Sequence, residues 1–133
     1  MKIKTTGYVL RIENAFIAIL EKELNHNESH YDNYCILNFR DPTYSAKTGG
    51  YHPVEIMINK QGIIQYITDF SYVGSSEMPE LAKELDFDFA SGLIEQLGQC
   101  YAIENAYELF PIWQQNFCAY YHSGVFEVSI SCE

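Results

Sequence analysis

Residues 51–72, Tyr-His-Pro-Val-Glu-Ile-Met-Ile-Asn-Lys-Gln-Gly-Ile-Ile-Gln-Tyr-Ile-Thr-Asp-Phe-Ser-Tyr, constrain the fold more than any other stretch, because they specify a chain reversal and a strand register together. Asn59-Lys60-Gln61-Gly62 has the pattern of a type I turn whose last residue goes left-handed, where glycine carries no Cβ penalty. A three-residue loop of this kind pairs Ile58 with Ile64, Ile56 with Tyr66 and Val54 with Thr68, with all six side chains on one face. A two-residue turn at Gln61-Gly62 sets Ile58 against Gln65 and Val54 against Asp69 instead. The first register separates apolar from polar residues more cleanly and is the expected one. Its apolar face, Val54, Ile56, Ile58, Ile64 and Tyr66, then packs beneath a long helix.

The rest of the chain supplies that helix and more strands. Ile12, Ala15, Phe16, Ile19, Leu20 and Leu24 recur at three- and four-residue steps, so residues 12–24 form an amphipathic helix. The polar stretch 25–30 ends it. His26, Glu28 and His30 alternate there in a loop, whereas zinc-protease ligands need His-Glu-x-x-His on a helix, and no metal site is expected. Residues 34–39 read as a strand. Residues 41–50 are small and polar, either a binding loop or a flexible connector tipped by Gly49 and Gly50. Pro53 has no amide to give, so the first hairpin strand begins late or leaves that position unpaired. After a turn at 74–76, Pro79 is expected to open one or two helical turns over 78–83. Strict alternation makes 85–89 a strand with one wet face. Over 90–97, Phe89, Leu93 and Leu97 fit a helix while Leu93, Glu95 and Leu97 also fit a strand; the expected form is a continuing bent strand, with Ser91-Gly92 at the bend and Gly98 as a turn. Helical spacing from Ile103 to Tyr121 marks the main core helix, either kinked at Pro111 or divided in two with the second part starting there. Residues 125–132 alternate as a final strand.

Short connections favour antiparallel pairing, and two amphipathic helices need a sheet face to cover. The expected fold is α+β in two layers: a curved antiparallel sheet packed on an N-terminal helix and a long C-terminal helix. At 133 residues the chain suits a single domain with one core. Eleven Tyr and eight Phe give it too much large apolar surface to remain disordered. No run approaches the roughly 20 apolar residues of a membrane span, and residues 1–6 lack the apolar core of a signal peptide, so a cytoplasmic location is expected. Cys35, Cys100, Cys118 and Cys132 include no Cys-x-x-Cys pair and are expected as buried free thiols.

The net charge of -10 is lopsided. Residues 1–50 carry six basic and six acidic side chains, but Lys83 is the last basic residue, and 84–133 hold eight acids. Phosphate contacts need Lys or Arg, so direct nucleic-acid binding is not expected. Such acidity keeps a protein soluble. If the acids cluster, they form a surface that docks on a basic partner or imitates phosphates.

Candidate binding residues Arg40, Asp41, Tyr44, Tyr51, His52 and Asp69 fall at neighbouring ends of the predicted strands. A histidine beside a carboxylate suits general-base chemistry. On the expected register, however, Pro53 faces Asp69 and His52 faces Phe70. His52 and Asp69 are then diagonal neighbours on opposite faces and form no dyad unless a bulge intervenes. The plainer expectation is that Arg40 pairs with Asp41 or Asp69 to lock a loop. Asp86 and Asp88 share a strand face with Cα atoms roughly 6.5 to 7 Å apart, which suits a metal grip or an acid–base pair and equally an ordinary half-exposed strand. Tyr66 joins other tyrosines as aromatic surface or core rim.

Asn38-Phe39-Arg40-Asp41-Pro42-x-Tyr44-Ser45, Gly49-Gly50-Tyr51-His52-Pro53-Val54-Glu55-Ile56, Ile67-Thr68-Asp69-Phe70, Asp86-Phe87-Asp88-Phe89 and Trp113-Gln114-Gln115-Asn116-Phe117 resemble the bacterial family catalogued as domain of unknown function 2787. The resemblance covers nearly the whole chain. It implies a cystatin-like roll, which can leave a pocket at its open end, and it supplies no activity and no site residues. The leading functional expectation is a non-enzymatic protein-binding module, with the acidic C-terminal half as its docking surface. The alternative is a small-molecule-binding or enzymatic roll with a pocket at the open end of the 51–72 hairpin, using His52, Tyr66 or Asp69. A homodimer through an exposed sheet face is a third. None calls for a cofactor. If the chain has a site, it belongs where residues 49–53 face 68–70.

Overall fold

The hairpin forms at the expected turn, but one register does not hold along it. The computed structural model describes residues 2–27, 31–75 and 77–133, so Glu28 and His30 of the polar loop lie outside the described residues. In chain order the elements are helix α1 (Asn14–Asn27) and strands β1 (Tyr34–Arg40), β2 (Val54–Asn59), β3 (Ile64–Val73), β4 (Glu80–Asp88), β5 (Leu93–Gln96) and β6 (Gln99–Ala102). A 3-10 turn (Ile103–Ala106), helix α2 (Leu109–His122) and strand β7 (Glu127–Cys132) follow. The seven strands form one antiparallel sheet in the order β6-β5-β4-β3-β2-β1-β7. The architecture is α+β.

At the turn Gly62 has φ +79°, and the Asn59 side chain accepts the Gln61 and Ile63 amides at 3.0 Å. Ile58 pairs with Ile64 as expected. A bulge at Gln65 then shifts the ladder by one residue, so that Met57 meets Tyr66, Ile56 meets Ile67 and Val54 meets Asp69. The expected pairs Ile56–Tyr66 and Val54–Thr68 are therefore replaced, and the alternative register governs most of the hairpin. A bulge adds a residue to one strand and reverses which face every later side chain occupies. Ile64 and Ile67 are both fully buried as a result. Tyr66, expected on the apolar face, points to the other one.

Helix α2 puts Phe110, Trp113 and Phe117 on one stripe at steps of three and four. Phe110 meets Phe87 of β4 with ring centroids 4.8 Å apart, and Phe117 meets Phe39 of β1 at 5.0 Å. Phe16 of α1 closes the layer against Trp113 and Phe117. Such pairs contribute about 0.5–1.5 kcal/mol each beyond their burial. Buried Gln114 ties α2 to the segment leading into α1, accepting from the Glu13 amide at 2.9 Å and donating to the Arg11 carbonyl at 3.0 Å. Of the two arrangements open for residues 103–121, the divided one is found: α2 begins two residues before Pro111, in the first turn, where a missing amide costs nothing.

Three further expectations about the elements fail. Residues 78–83 form no helix: Glu80 to Lys83 extend β4, with Leu81 opposite Tyr72 and Glu80 opposite Val73, because the free edge of β3 offers them a ladder. Residues 90–97 are not one bent strand. Gly92, at φ +76°, lies in a full reversal, and β5 and β6 pair as a further hairpin. Cys35 and Cys132 are not free thiols. They face each other across β1 and β7 and form a disulfide, while Cys100 and Cys118 are free. No helix among the described residues is long and apolar enough to cross a membrane.

Candidate functional site

The residues that separate β1 from β2 are neither slack nor tied by Arg40. The buried Asp41 carboxylate accepts the Thr43 amide at 2.9 Å, the Thr43 hydroxyl at 2.7 Å and the Tyr51 amide at 3.0 Å. These bonds, the Tyr51 amide foremost, hold its carboxyl below the usual carboxylate range. Gly50 packs so closely that a Cβ there would sit 2.9 Å from Asp41 Oδ2 and from Tyr44 Cα. Tyr44 stacks on Tyr72, and its hydroxyl accepts the Tyr72 amide at 3.0 Å. Tyr51 rests on Tyr120 of α2, ring centroids 4.6 Å apart. Among the described residues Arg40 makes no ion pair with Asp41 or Asp69, contrary to the expected lock. Asp41 locks the loop through backbone amides instead.

The fixed loop delivers His52 to the inner face of the sheet. With Val54 opposite Asp69, His52 lies two residues from Val54 on that face, and the bulge removes the separation that the expected register imposed. His52 Nδ1 lies 2.7 Å from Asp69 Oδ1. The other Asp69 oxygen accepts the Trp113 indole N–H at 2.9 Å. A second bulge, at Glu84 between the pairs Asp69–Leu85 and Phe70–Lys83, turns that carboxylate inward, where Oε2 reaches 3.1 Å from the same His52 Nδ1. The hydrogen bond to Asp69 raises the His52 pKa against the opposing effect of burial, and the charges of Asp69 and Glu84 add to the rise. Among the described residues Nε2 of His52 has no hydrogen-bond partner.

These groups floor a cleft of about 340 Å³ between the ends of β2–β4 and helix α2. Tyr51, Trp113, Phe117, Tyr120 and Phe126 form its walls, and Asn116 stands at its rim. Of the residues proposed from sequence, Tyr51, His52 and Asp69 line the cleft, and Asp41 and Tyr44 support it from behind. Arg40, together with Asp41 and Tyr44, lines a separate hollow of about 460 Å³ on the opposite face of the sheet.

The remaining three do not join the site. The Tyr66 hydroxyl donates to Glu55 at 2.6 Å, and burial together with that bond raises its pKa. Asp86 accepts from Thr68 at 2.9 Å and pairs with Lys83 at 3.5 Å, while burial raises its pKa. Asp88 caps the reversal by accepting the Ser91 amide at 3.0 Å. Sequence reasoning missed Glu84, Trp113 and Asn116, and placed Tyr120 only among the tyrosines of an aromatic surface or core rim. Trp113 was visible only as a core position of a helix. Glu84 falls between the expected turn over 78–83 and the expected strand 85–89, where no face is assigned to it.

An antiparallel seven-stranded sheet with two helices on one face and an aromatic, histidine-floored cleft at one end defines a small α+β protein. The chain belongs to the family described as "Protein of unknown function (DUF2787)", whose model matches residues 14–131. Two solved structures from Vibrio cholerae share its fold. The hypothetical protein VC0508, from the VSP-II pathogenicity island, is 33% identical with TM-score 0.84, the match covering 97% of this chain and 100% of that one. The conserved hypothetical protein VC1805, from pathogenicity island VPI-2, is 36% identical with TM-score 0.82, over 95% and 98% respectively. No curated protein matches the chain.

Proposed function

We propose that this chain binds a small organic ligand in the cleft between α2 and the ends of β2, β3 and β4. One observation carries the reading: a cleft of about 340 Å³ joins aromatic walls to convergent polar groups, His52, Asp69 and Glu84, on its floor. That volume falls within the roughly 300–1,000 Å³ of small-molecule sites, which combine apolar lining with a few placed polar groups. Tyr51, Tyr120 and Trp113 supply contact area, and His52 and Asn116 supply orientation.

Docking through one acidic surface receives less support. Glu127 lies on β7 and Glu95 on β5, toward opposite edges of the sheet, so the C-terminal acids do not all share one patch. Pairing of two copies through the open sheet face is also disfavoured. Glu55, Asp86 and Glu95 fall in one cross-strand row, and like charges would meet their counterparts. The Cys35–Cys132 bridge favours an oxidising compartment over the cytoplasm, where thiols are kept reduced.

Asn116→Phe tests the ligand reading, because Asn116 is exposed and its enlargement fills the rim without disturbing the core. A fragment screen read by thermal shift and confirmed by calorimetry should give ligands for the native chain whose affinity falls at least tenfold in a folded Asn116→Phe variant. A screen without binders, or binders indifferent to the substitution, would contradict the proposal.

A further inference from the structure

We propose that His52 Nδ1, Asp69 Oδ1 and Glu84 Oε2 bind one divalent transition-metal ion at the floor of the cleft. Three ligand atoms converge there from the segment before β2, from β3 and from β4, and Nδ1 releases its proton to solvent when it binds the ion. Nδ1 lies 2.7 Å from Asp69 and 3.1 Å from Glu84, and all three ligand atoms fall within 4.8 Å of one another. As a purely protonic arrangement this is poor. A single Nδ1–H cannot align with two carboxylates at once, because hydrogen bonds weaken steeply away from linearity. A metal ion accepts all three. With bond lengths of roughly 2.0–2.2 Å to nitrogen and oxygen, ligand atoms stand roughly 3 to 3.4 Å apart around it, so the two carboxylates, now within 4.8 Å, close on the ion by movement of the partly exposed Glu84.

Two further features are independent of those distances. The Asp69 oxygen not offered to the ion accepts the Trp113 indole N–H at 2.9 Å. That bond fixes the carboxylate's orientation, as outer-shell partners do in metal centres. Glu84 reaches the cluster because it is the extra residue of a bulge, a device that re-aims side chains beside functional sites. Imidazole with two carboxylates suits Zn²⁺, Mn²⁺, Fe²⁺ or Co²⁺. Three protein ligands would leave a coordination position open, as in catalytic rather than structural centres, and all three residues line the cleft. Resting on the ligand reading above, the ligand class becomes a small molecule that donates an anionic or carbonyl oxygen to the ion.

Calorimetric titration of Zn²⁺ into the chelator-stripped, disulfide-intact full chain tests this without any organic ligand. One ion per chain is expected. Affinity should fall at least tenfold in Glu84→Gln and about 10–100-fold in Trp113→Phe, the range for loss of an outer-shell partner, and stay unchanged in Cys100→Ser. Circular dichroism checks that each variant folds, and Glu84→Gln, partly exposed, leaves a readable result should Trp113→Phe not fold. Absence of stoichiometric uptake, equal affinity in Glu84→Gln, or loss of binding in Cys100→Ser would each overturn the site. Fragments that bind in the presence of chelator while Zn²⁺ does not bind would sink this inference alone. Zn²⁺ uptake with no binder in the fragment screen would sink the ligand reading alone.

Discussion

Asp69→Ala is expected to lower the unfolding free energy of the metal-free chain by about 3 kcal/mol, the lower end of the range for stripping one partner from a buried ion pair. The carboxylate is 12% exposed and satisfies two groups, His52 Nδ1 and the Trp113 indole. Its removal leaves the indole N–H without an acceptor in a buried setting, at a cost of about 1–3 kcal/mol. It also takes the nearer carboxylate from a histidine that is 33% exposed. Water reaching His52 screens part of that loss, which is why the lower end applies. Asp69→Asn keeps an acceptor for one of the two groups and should cost less than half as much. Urea denaturation of the three proteins measures the differences. A loss below about 1 kcal/mol for Asp69→Ala would mean that Asp69 sits in water rather than at the junction of sheet and helix.

Cleaving the Cys35–Cys132 bridge is expected to cost about 2–5 kcal/mol, whether by reduction or by Cys132→Ser. The bonded residues are 97 apart in sequence, and the linked strands hold the edge of the sheet through the β1–β7 ladder. A cross-link closing so long a loop removes much of the freedom of the unfolded chain. The chain-entropy estimate for a loop of about 100 residues is near the top of that range. The bridge joins two residues that the ladder already places face to face, so it adds little order to the native state and acts on the unfolded one. Thiol counting provides the check. Two reactive thiols, Cys100 and Cys118, are expected in denatured, unreduced protein and four after reduction. Four before reduction would remove the bridge from the account.

The layers of the fold were legible because they depend on local periodicity. Phe110, Trp113 and Phe117 announce a helix face, and Leu85 to Phe89 announce a strand, in any context. What escaped depends on long-range pairing. Glu80 to Lys83 have a helical cast and become strand because the edge of β3 is free beside them. Residues 99–102, all exposed, carry no burial pattern to mark β6. The Cys35–Cys132 bridge required knowing that β7 returns to lie beside β1. The neighbourhood of the candidate site was legible in part, since His52 does meet Asp69 and Pro53 does meet Phe70, while Gly49, Gly50 and Tyr51 turn to Ser45, Asp41 and Tyr120 instead, and its chemistry was not. A one-residue bulge at Gln65 decides whether His52 and Asp69 share a face, and a second, at Glu84, adds the other carboxylate. Neither bulge has a sequence signature comparable to the glycine of the turn. The discarded register, with Val54 against Asp69, held the only clue.

The Asp69 carboxylate joins His52 on the floor of the cleft to Trp113 in its wall, so the chain's single tryptophan reports directly on a ligand bound there. The indole N–H resonance of Trp113 can be followed while any fragment that stabilises the protein is titrated in. The expected result is a resonance displaced from the free-indole position by its bond to Asp69, returning toward that position in Asp69→Ala, and shifting saturably with each stabilising fragment. An indole signal at the free position, unmoved by every such fragment, would contradict the account.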